Sequence, residues 1–240
     1  MITASLIGLA DDFIQIFGKG KWTTDPIILR YLKISIIVLL GVVISWWFSN
    51  KLGISNLYVP LYGFVNLGFL FMPFFILVML AVFSSSVIDG VDGLSAGVLT
   101  SIFSAYTVIA LFHHQIDLAA FCAVIVGGTL AFLWFNIPPA RFYMGETGMI
   151  GLTVTLSVVA FMTNTVLLLP IIAFPLFITS ASDVIQITSR KLRHGKKVFL
   201  FAPLHHHFEA LGWSKAKVTM RYWIVGVIAS IIGVIIALIN

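Results

Sequence analysis

The sequence predicts an all-α, polytopic transmembrane helical bundle of about seven full spans preceded by a partial amino-terminal helix. Three observations predict it. Of 240 residues, 60% are apolar and 10% charged, with a mean hydropathy of +1.09, a balance that excludes a soluble domain. Apolar runs long enough to cross a bilayer recur at 34–49, 64–84, 95–112, 118–135, 148–162, 165–187 and 220–239. The charges, finally, are one-sided. When the runs are threaded alternately, connectors 11–33, 85–94, 136–147 and 188–219 share one face. With their helix ends they hold Lys19, Lys21, Arg30, Lys33, Arg141, Arg190, Lys191, Arg193, Lys196, Lys197, Lys215, Lys217 and Arg221. Only Lys51 is left for the opposite face, so the positive-inside bias puts the four connectors in the cytoplasm.

Taken in order, the short apolar start at 1–10 cannot cross a membrane alone. It lacks a basic leader and a cleavage site, so it reads as the inner half of a helix and not as a signal peptide. The connectors on the far face, 51–60, 113–117 and Asn164, are small, which assigns the chemistry to the cytoplasmic face. Connectors this short join the spans into a single membrane domain, 1–240. Cys122, alone and inside an apolar run, excludes an intrachain disulfide and a cysteine metal site. Pro170 and Pro175 interrupt the 165–187 run and predict a kink there, with Asp183 and Gln186 on one face near its cytoplasmic end. The formal charge of +5 is explained by topology and anionic lipid and does not point to nucleic acid.

The residues able to carry chemistry fall on the basic face. Asp11-Asp12 closes the first apolar segment, where two adjacent carboxylates either form a solvated helix end or hold a cation. In Asp89-Gly90-Val91-Asp92-Gly93, two carboxylates three residues apart share a helical face or converge across a tight turn. The glycines beside them let backbone amides approach a ligand, an arrangement suited to phosphate oxygens with Mg²⁺. Asn136 ends an aromatic run, and Arg141-Phe142-Tyr143-Met144-Gly145-Glu146 leads into the next span. Glu146 there is either a third acid or a helix cap. Tyr143 either stacks on a base or sits at the membrane interface. The sharpest signal is His205-His206-His207, three histidines in a row following Arg193, Lys196 and Lys197. Adjacent histidines are badly spaced to chelate one zinc from a helix, and fit better the binding of phosphate or the orienting of a nucleotide or sugar.

Together these segments resemble the polyprenyl-phosphate N-acetylhexosamine-1-phosphate transferase superfamily, and within it the phospho-N-acetylmuramoyl-pentapeptide branch. The stretches that carry the resemblance are Leu9-Ala10-Asp11-Asp12, Asp89-Gly90-Val91-Asp92-Gly93-Leu94, Phe132-Leu133-Trp134-Phe135-Asn136, Met144-Gly145-Glu146-Thr147-Gly148 and Ala202-Pro203-Leu204-His205-His206-His207-Phe208-Glu209, followed by Gly212-Trp213. They lie in order over essentially the whole chain, and the histidine stretch is the feature that singles out that branch.

The resemblance implies Mg²⁺-dependent transfer of phospho-N-acetylmuramoyl-pentapeptide from its UDP carrier to undecaprenyl phosphate, with release of UMP, at the cytoplasmic face of the bacterial inner membrane. By position, Asp11 and Asp12 match the acidic pair near the lipid phosphate. Asp89, Gly90, Val91, Asp92, Asn136 and Tyr143 match positions around the uridine pocket, Glu146 the acid that holds Mg²⁺, and His205, His206 and His207 the catalytic-loop histidines. The partners expected are therefore the UDP-linked donor, undecaprenyl phosphate, membrane lipid and a second copy in a homodimer, and no nucleic acid. The family normally carries further amino-terminal spans and a basic loop, a lysine where Gln15 stands, an asparagine at Ser86 and an aspartate at Glu146. The longer acid moves its carboxylate by over ~1 Å, a displacement able to cost about 10²-fold in rate. The competing readings are a related enzyme using UDP-N-acetylglucosamine and a catalytically impaired lipid-binding relative.

Overall fold

A computed structural model describes residues 1–17, 26–60 and 62–239. The chain is helical: α1 (Ile2–Phe17), α2 (Pro26–Asn50), α3 (Phe71–Ser84), α4 (Leu94–Phe112), α5 (Ile116–Asn136), α6 (Gly145–Met162), α7 (Leu169–Ile172), α8 (Phe174–Leu192), α9 (Leu204–Ala210) and α10 (Lys215–Ile239). Among the described residues, six helices are long and apolar enough to cross a membrane, or seven if one bent pair counts as a span. The predicted class holds, and the chain is a multi-pass membrane protein.

Four details depart from the sequence reading. The segment 56–66 forms an antiparallel hairpin of β1 (Asn56–Val59) and β2 (Gly63–Asn66), with Asn56 opposite Asn66. The apolar run expected from 64 thus starts in a strand, where Tyr58 packs edge-on against Phe64, ring centroids 5.1 Å apart. Asp11 and Asp12 lie within α1, which continues to Phe17, and Lys33 lies within α2, so much of the connector expected at 11–33 is helix. The rest of it, 18–25 with Lys19, Lys21 and Asp25, falls outside the described residues. The 165–187 run is a broken element: Val166–Ile172 and Phe174–Leu192 meet at 87°. Proline occupies the first turn of both α7 and α8, where its missing N–H costs nothing, so each proline starts a helix and the chain turns at Ala173 between them.

The helices pack in two compact units. The first comprises Met1–Ser84 with Gly145–Leu167. Its apolar core is a cluster of four phenylalanines, Phe48, Phe71, Phe75 and Phe161, none more than 3% exposed, with Phe75 stacked on Phe161 at 4.2 Å. Here α1 runs against α6 at very close range. A Cβ on Gly8 would lie 2.4 Å from the Glu146 carbonyl oxygen and 2.6 Å from the Thr147 Cα. Small residues at such a crossing let backbones approach where dispersion, and not hydrophobic burial, holds membrane helices together.

The second unit comprises Ser85–Met144 with Leu168–Asn240. Helix α4 is its centre, burying Leu99, Ile102, Phe103 and Tyr106 completely. Thr100 Oγ1 of α4 donates to Thr129 Oγ1 of α5 at 2.9 Å, an interhelical bond suited to apolar surroundings. The Trp223 ring of α10 packs against Gly97, where a Cβ would come 2.0 Å from its Nε1. An apolar groove of about 570 Å³ opens between α4, α5 and α10, lined by Gly97, Thr100, Ser104, Leu133, Trp223 and Ile231 among others.

Candidate functional site

In the first unit, Asp11, Asp12, Lys33 and Glu146 form one cluster built from α1, α2 and α6. Asp12 caps the amino terminus of α6. Its Oδ1 accepts the Glu146 N–H at 3.3 Å, and its Oδ2 accepts the Thr147 N–H at 3.0 Å and the Thr147 hydroxyl at 2.5 Å. A carboxylate belongs there, because the first amides of a helix lack intrahelical partners and the end carries partial positive charge. Asp11, one residue earlier and about 100° round the helix, is buried at 7% exposure. Its Oδ2 accepts Gln15 Nε2 at 2.6 Å and faces Lys33 Nζ at 2.7 Å. The same ammonium reaches Glu146 Oε1 at 2.8 Å.

Those distances test the expected metal. Carboxylate oxygens are the right donors for Mg²⁺, which wants near-octahedral oxygen at about 2.0–2.1 Å. Yet the point between Asp11 and Glu146 is filled by the Lys33 ammonium, and both Asp12 oxygens accept protein donors. No group of three or more acidic, histidine or cysteine side chains able to hold a metal forms among the described residues. This cluster does not fit a divalent ion as it stands.

In the second unit the turn 89–93 is tied down by its own acids and by Asn136. Ser95 Oγ donates to Asp89 Oδ1 at 2.5 Å. Asp92 Oδ2 accepts the Ala140 N–H at 3.1 Å, and its carbonyl accepts Thr219 Oγ1 at 3.0 Å. Asn136, 3% exposed, accepts the Gly93 N–H at 2.9 Å and donates from Nδ2 to the Phe142 carbonyl at 2.8 Å. Gly93 adopts φ of +73° at the start of α4, a left-handed conformation that a side chain disfavours. Its carbonyl accepts the Trp223 indole N–H at 3.0 Å. Asp92, Gly93 and Asn136 thus hold the turn to the 137–144 loop and to α10. Val91 is buried and Tyr143 is 71% exposed.

The three histidines ride on α9 and have three environments. His205 is fully buried, and neither ring nitrogen has a hydrogen-bond partner among the described residues. Its Nε2 sits 2.7 Å from where a Cβ of Gly90 would be, so only glycine admits the ring. Burial, helped by the neighbouring His206, pushes its pKa down to about 4, and it is neutral at physiological pH. His206 pairs through Nδ1 with Glu209 Oε2 at 2.8 Å, one helical turn on. That contact fixes the proton on Nδ1 and turns Nε2 toward Gly90, 3.2 Å from the same Cβ position. His207 accepts the Leu200 N–H on Nδ1 at 3.2 Å and braces the loop before α9.

The turn at Asp89 and Gly90 therefore meets His205 and His206, and Asp92 and Asn136 join that turn to the 137–144 loop. Three pairings were not assigned from the sequence. Lys33 was counted only among the basic residues of one face, since a lysine on an apolar helix gives no sign of which acid it meets. Glu209 carried a readable signal, an acid three residues after a histidine on a helix. Gln186, buried in α8, accepts the Val198 and Phe199 N–H groups at 3.0 and 3.1 Å and donates to the Phe199 carbonyl at 2.8 Å. It fastens the basic loop that leads to the histidines. Trp213 stacks on Phe208 at 4.7 Å with Arg221 over its ring at 4.1 Å, which anchors the segment after α9.

The profile of glycosyl transferase family 4 matches residues 1–164. Relatives match further. A phospho-N-acetylmuramoyl-pentapeptide-transferase of Chloroflexus aurantiacus is 33% identical over 100% of this chain and 68% of its own length. Proteins of the same name from Caldanaerobacter subterraneus and Listeria monocytogenes are 34% and 37% identical over 93% and 95% of the chain, each match covering 70% of the relative. The chain belongs to glycosyl transferase family 4 and is a membrane transferase.

Proposed function

We propose that this enzyme transfers phospho-N-acetylmuramoyl-pentapeptide from its UDP carrier to undecaprenyl phosphate, giving the first lipid-linked peptidoglycan intermediate and UMP. The observation that carries the reading is the Asp89-Gly90 turn meeting His205 and His206, in a chain 33–37% identical to relatives of that name. A phosphate acceptor is already largely ionised at neutral pH, so the step needs charge neutralisation and alignment more than a strong base. In this reading Asp11 and Asp12 belong near the lipid phosphate. Asp89, Gly90, Val91, Asp92, Asn136 and Tyr143 belong to the uridine pocket. His205, His206 and His207 belong to the catalytic loop. His206, with Nδ1 held by Glu209, presents Nε2 on the Gly90 side, where it would meet a phosphate or sugar oxygen. Mg²⁺ is part of the proposal as the expected cofactor, with Glu146 as its acid only where Lys33 does not hold that carboxylate. The enzyme belongs in this reading to a bacterial inner membrane, as a homodimer, with the 11–33, 85–94, 136–147 and 188–219 segments on the cytoplasmic face.

The test is UMP release by the purified chain in detergent with undecaprenyl phosphate, comparing the UDP-linked muramoyl-pentapeptide with UDP-N-acetylglucosamine, with and without Mg²⁺. Release from the muramoyl donor alone is the expected result. Release from the N-acetylglucosamine donor alone would move the chain to the related activity. The Lys33 contact with Glu146 favours a second reading, a catalytically impaired lipid-binding relative, and release from neither donor would select it.

A further inference from the structure

We infer that Lys33 is the resident cation of the Asp11–Glu146 pair, and that Glu146 takes no divalent ion while Lys33 holds it. This departs from the cofactor part of the proposed function and leaves the transfer reaction itself untouched. Lys33 Nζ stands 2.7 Å from Asp11 Oδ2 and 2.8 Å from Glu146 Oε1, charge-assisted distances on both sides. The side chains are largely out of solvent, 18% exposed for Lys33 and 9% for Asp11. An ammonium is a compact, hard point charge with three donors, so it meets two carboxylates much as a small metal ion does. The two cations repel each other and cannot share one position.

The rest of the cluster leaves little for a metal to use. Asp11 Oδ2 already accepts Gln15 as well as Lys33, and Asp12 is committed to the amino terminus of α6. The lysine comes from α2, 113 residues before Glu146 in sequence, and joins α1, α2 and α6 through one charge. Lys33 is thus a positioning residue: it neutralises two acids and holds Glu146 toward Asp11.

The experiment titrates Mn²⁺ into the full chain in detergent, without substrate, and reads free Mn²⁺ by electron paramagnetic resonance. Wild type and Glu146→Gln are expected to bind Mn²⁺ equally. Lys33→Met is expected to bind it about tenfold more tightly than wild type, a gain abolished in Lys33→Met/Glu146→Gln. Lys33→Arg, which keeps the charge, should behave as wild type. Thermal melting gives a second readout: Lys33→Met melts lower than wild type, and Mn²⁺ restores it. About tenfold weaker Mn²⁺ binding by Glu146→Gln in the wild-type background would overturn the inference, as would no gain in Lys33→Met. Should Lys33→Met fail to fold, the comparison of wild type with Glu146→Gln decides alone. The transfer assay reads a different property, so the proposed activity and this inference can fail separately.

Discussion

The two units handle charge in opposite ways. In the first, every acid of the cluster is answered by a protein donor: Asp12 by the start of α6, Asp11 and Glu146 by Lys33. In the second, Asp89 and Asp92 lean on a hydroxyl and a backbone amide, and a fully buried imidazole lies beside Gly90 without a hydrogen-bond partner among the described residues. Buried polar atoms left unsatisfied cost about 1–3 kcal/mol each. Next to the Asp89 turn that cost sets the second unit apart from the first, whose acids are paired internally.

That contrast is broken most directly by asking which unit the reaction depends on. Asp89→Ala and His206→Ala are expected to lower UMP release by about 10²–10³-fold, the usual cost of losing a preorganised polar contact at a reacting phosphate. Both side chains lie in the second unit, and their loss should leave the melting of the protein nearly unchanged. Turnover within threefold (~0.7 kcal/mol) of wild type in both variants would remove the second unit from the chemistry.

The next effect in size is the pH response of His205. Its folded pKa, about 4, lies below the ordinary 6.5, so between those values the unfolded chain binds a proton that the folded chain refuses. The stability contributed by the neutral ring is complete above pH 6.5 and falls as pH drops toward 4, where it levels off. A gap of that size is worth about 3 kcal/mol. Melting of wild type and His205→Asn in detergent from pH 4 to 7 should diverge toward acid, wild type losing more. Parallel curves would mean that the ring is solvated or paired.

Close packing supplies the third. Gly8→Ala places a methyl group 2.4 Å from a backbone oxygen of α6, and neither backbone can yield without separating the helices. Overpacking of this kind costs about 1–3 kcal/mol, read as a lower melting temperature. Loss of UMP release by Gly8→Ala at unchanged melting would blur the division between the units.

Much of this fold was legible because a bilayer imposes one rule, long apolar runs with charges held at their ends. Runs such as 95–112 and 118–135 matched α4 and α5 to within two residues. The hairpin at 56–66 was not legible, since eleven residues joining two apolar runs carry no length constraint and its alternation is brief. The 87° break was visible only as two prolines, which read equally as a kink in one helix or as two helix starts. At the candidate site, motif residues were readable as residue types. Their partners were not: Lys33 and Glu146 lie 113 positions apart, and only the crossing of helices says that they meet.

The smallest expected effect sharpens the contrast at its weakest point. Glu146→Asp shortens the arm by one methylene and draws the carboxylate away from Lys33, while Asp11 keeps the ammonium at 2.7 Å. Glu146 is 32% exposed, and an ion pair reached by solvent is worth about 0–1 kcal/mol, so melting should barely move. An acid in the first turn of α6 also remains favourable whichever its length. A loss of several kcal/mol would mean that the triad of Asp11, Lys33 and Glu146 acts as one buried network and that the first unit depends on it for its fold. An unchanged melting curve leaves Lys33 held chiefly by Asp11, with Glu146 as the partner that a shorter side chain releases.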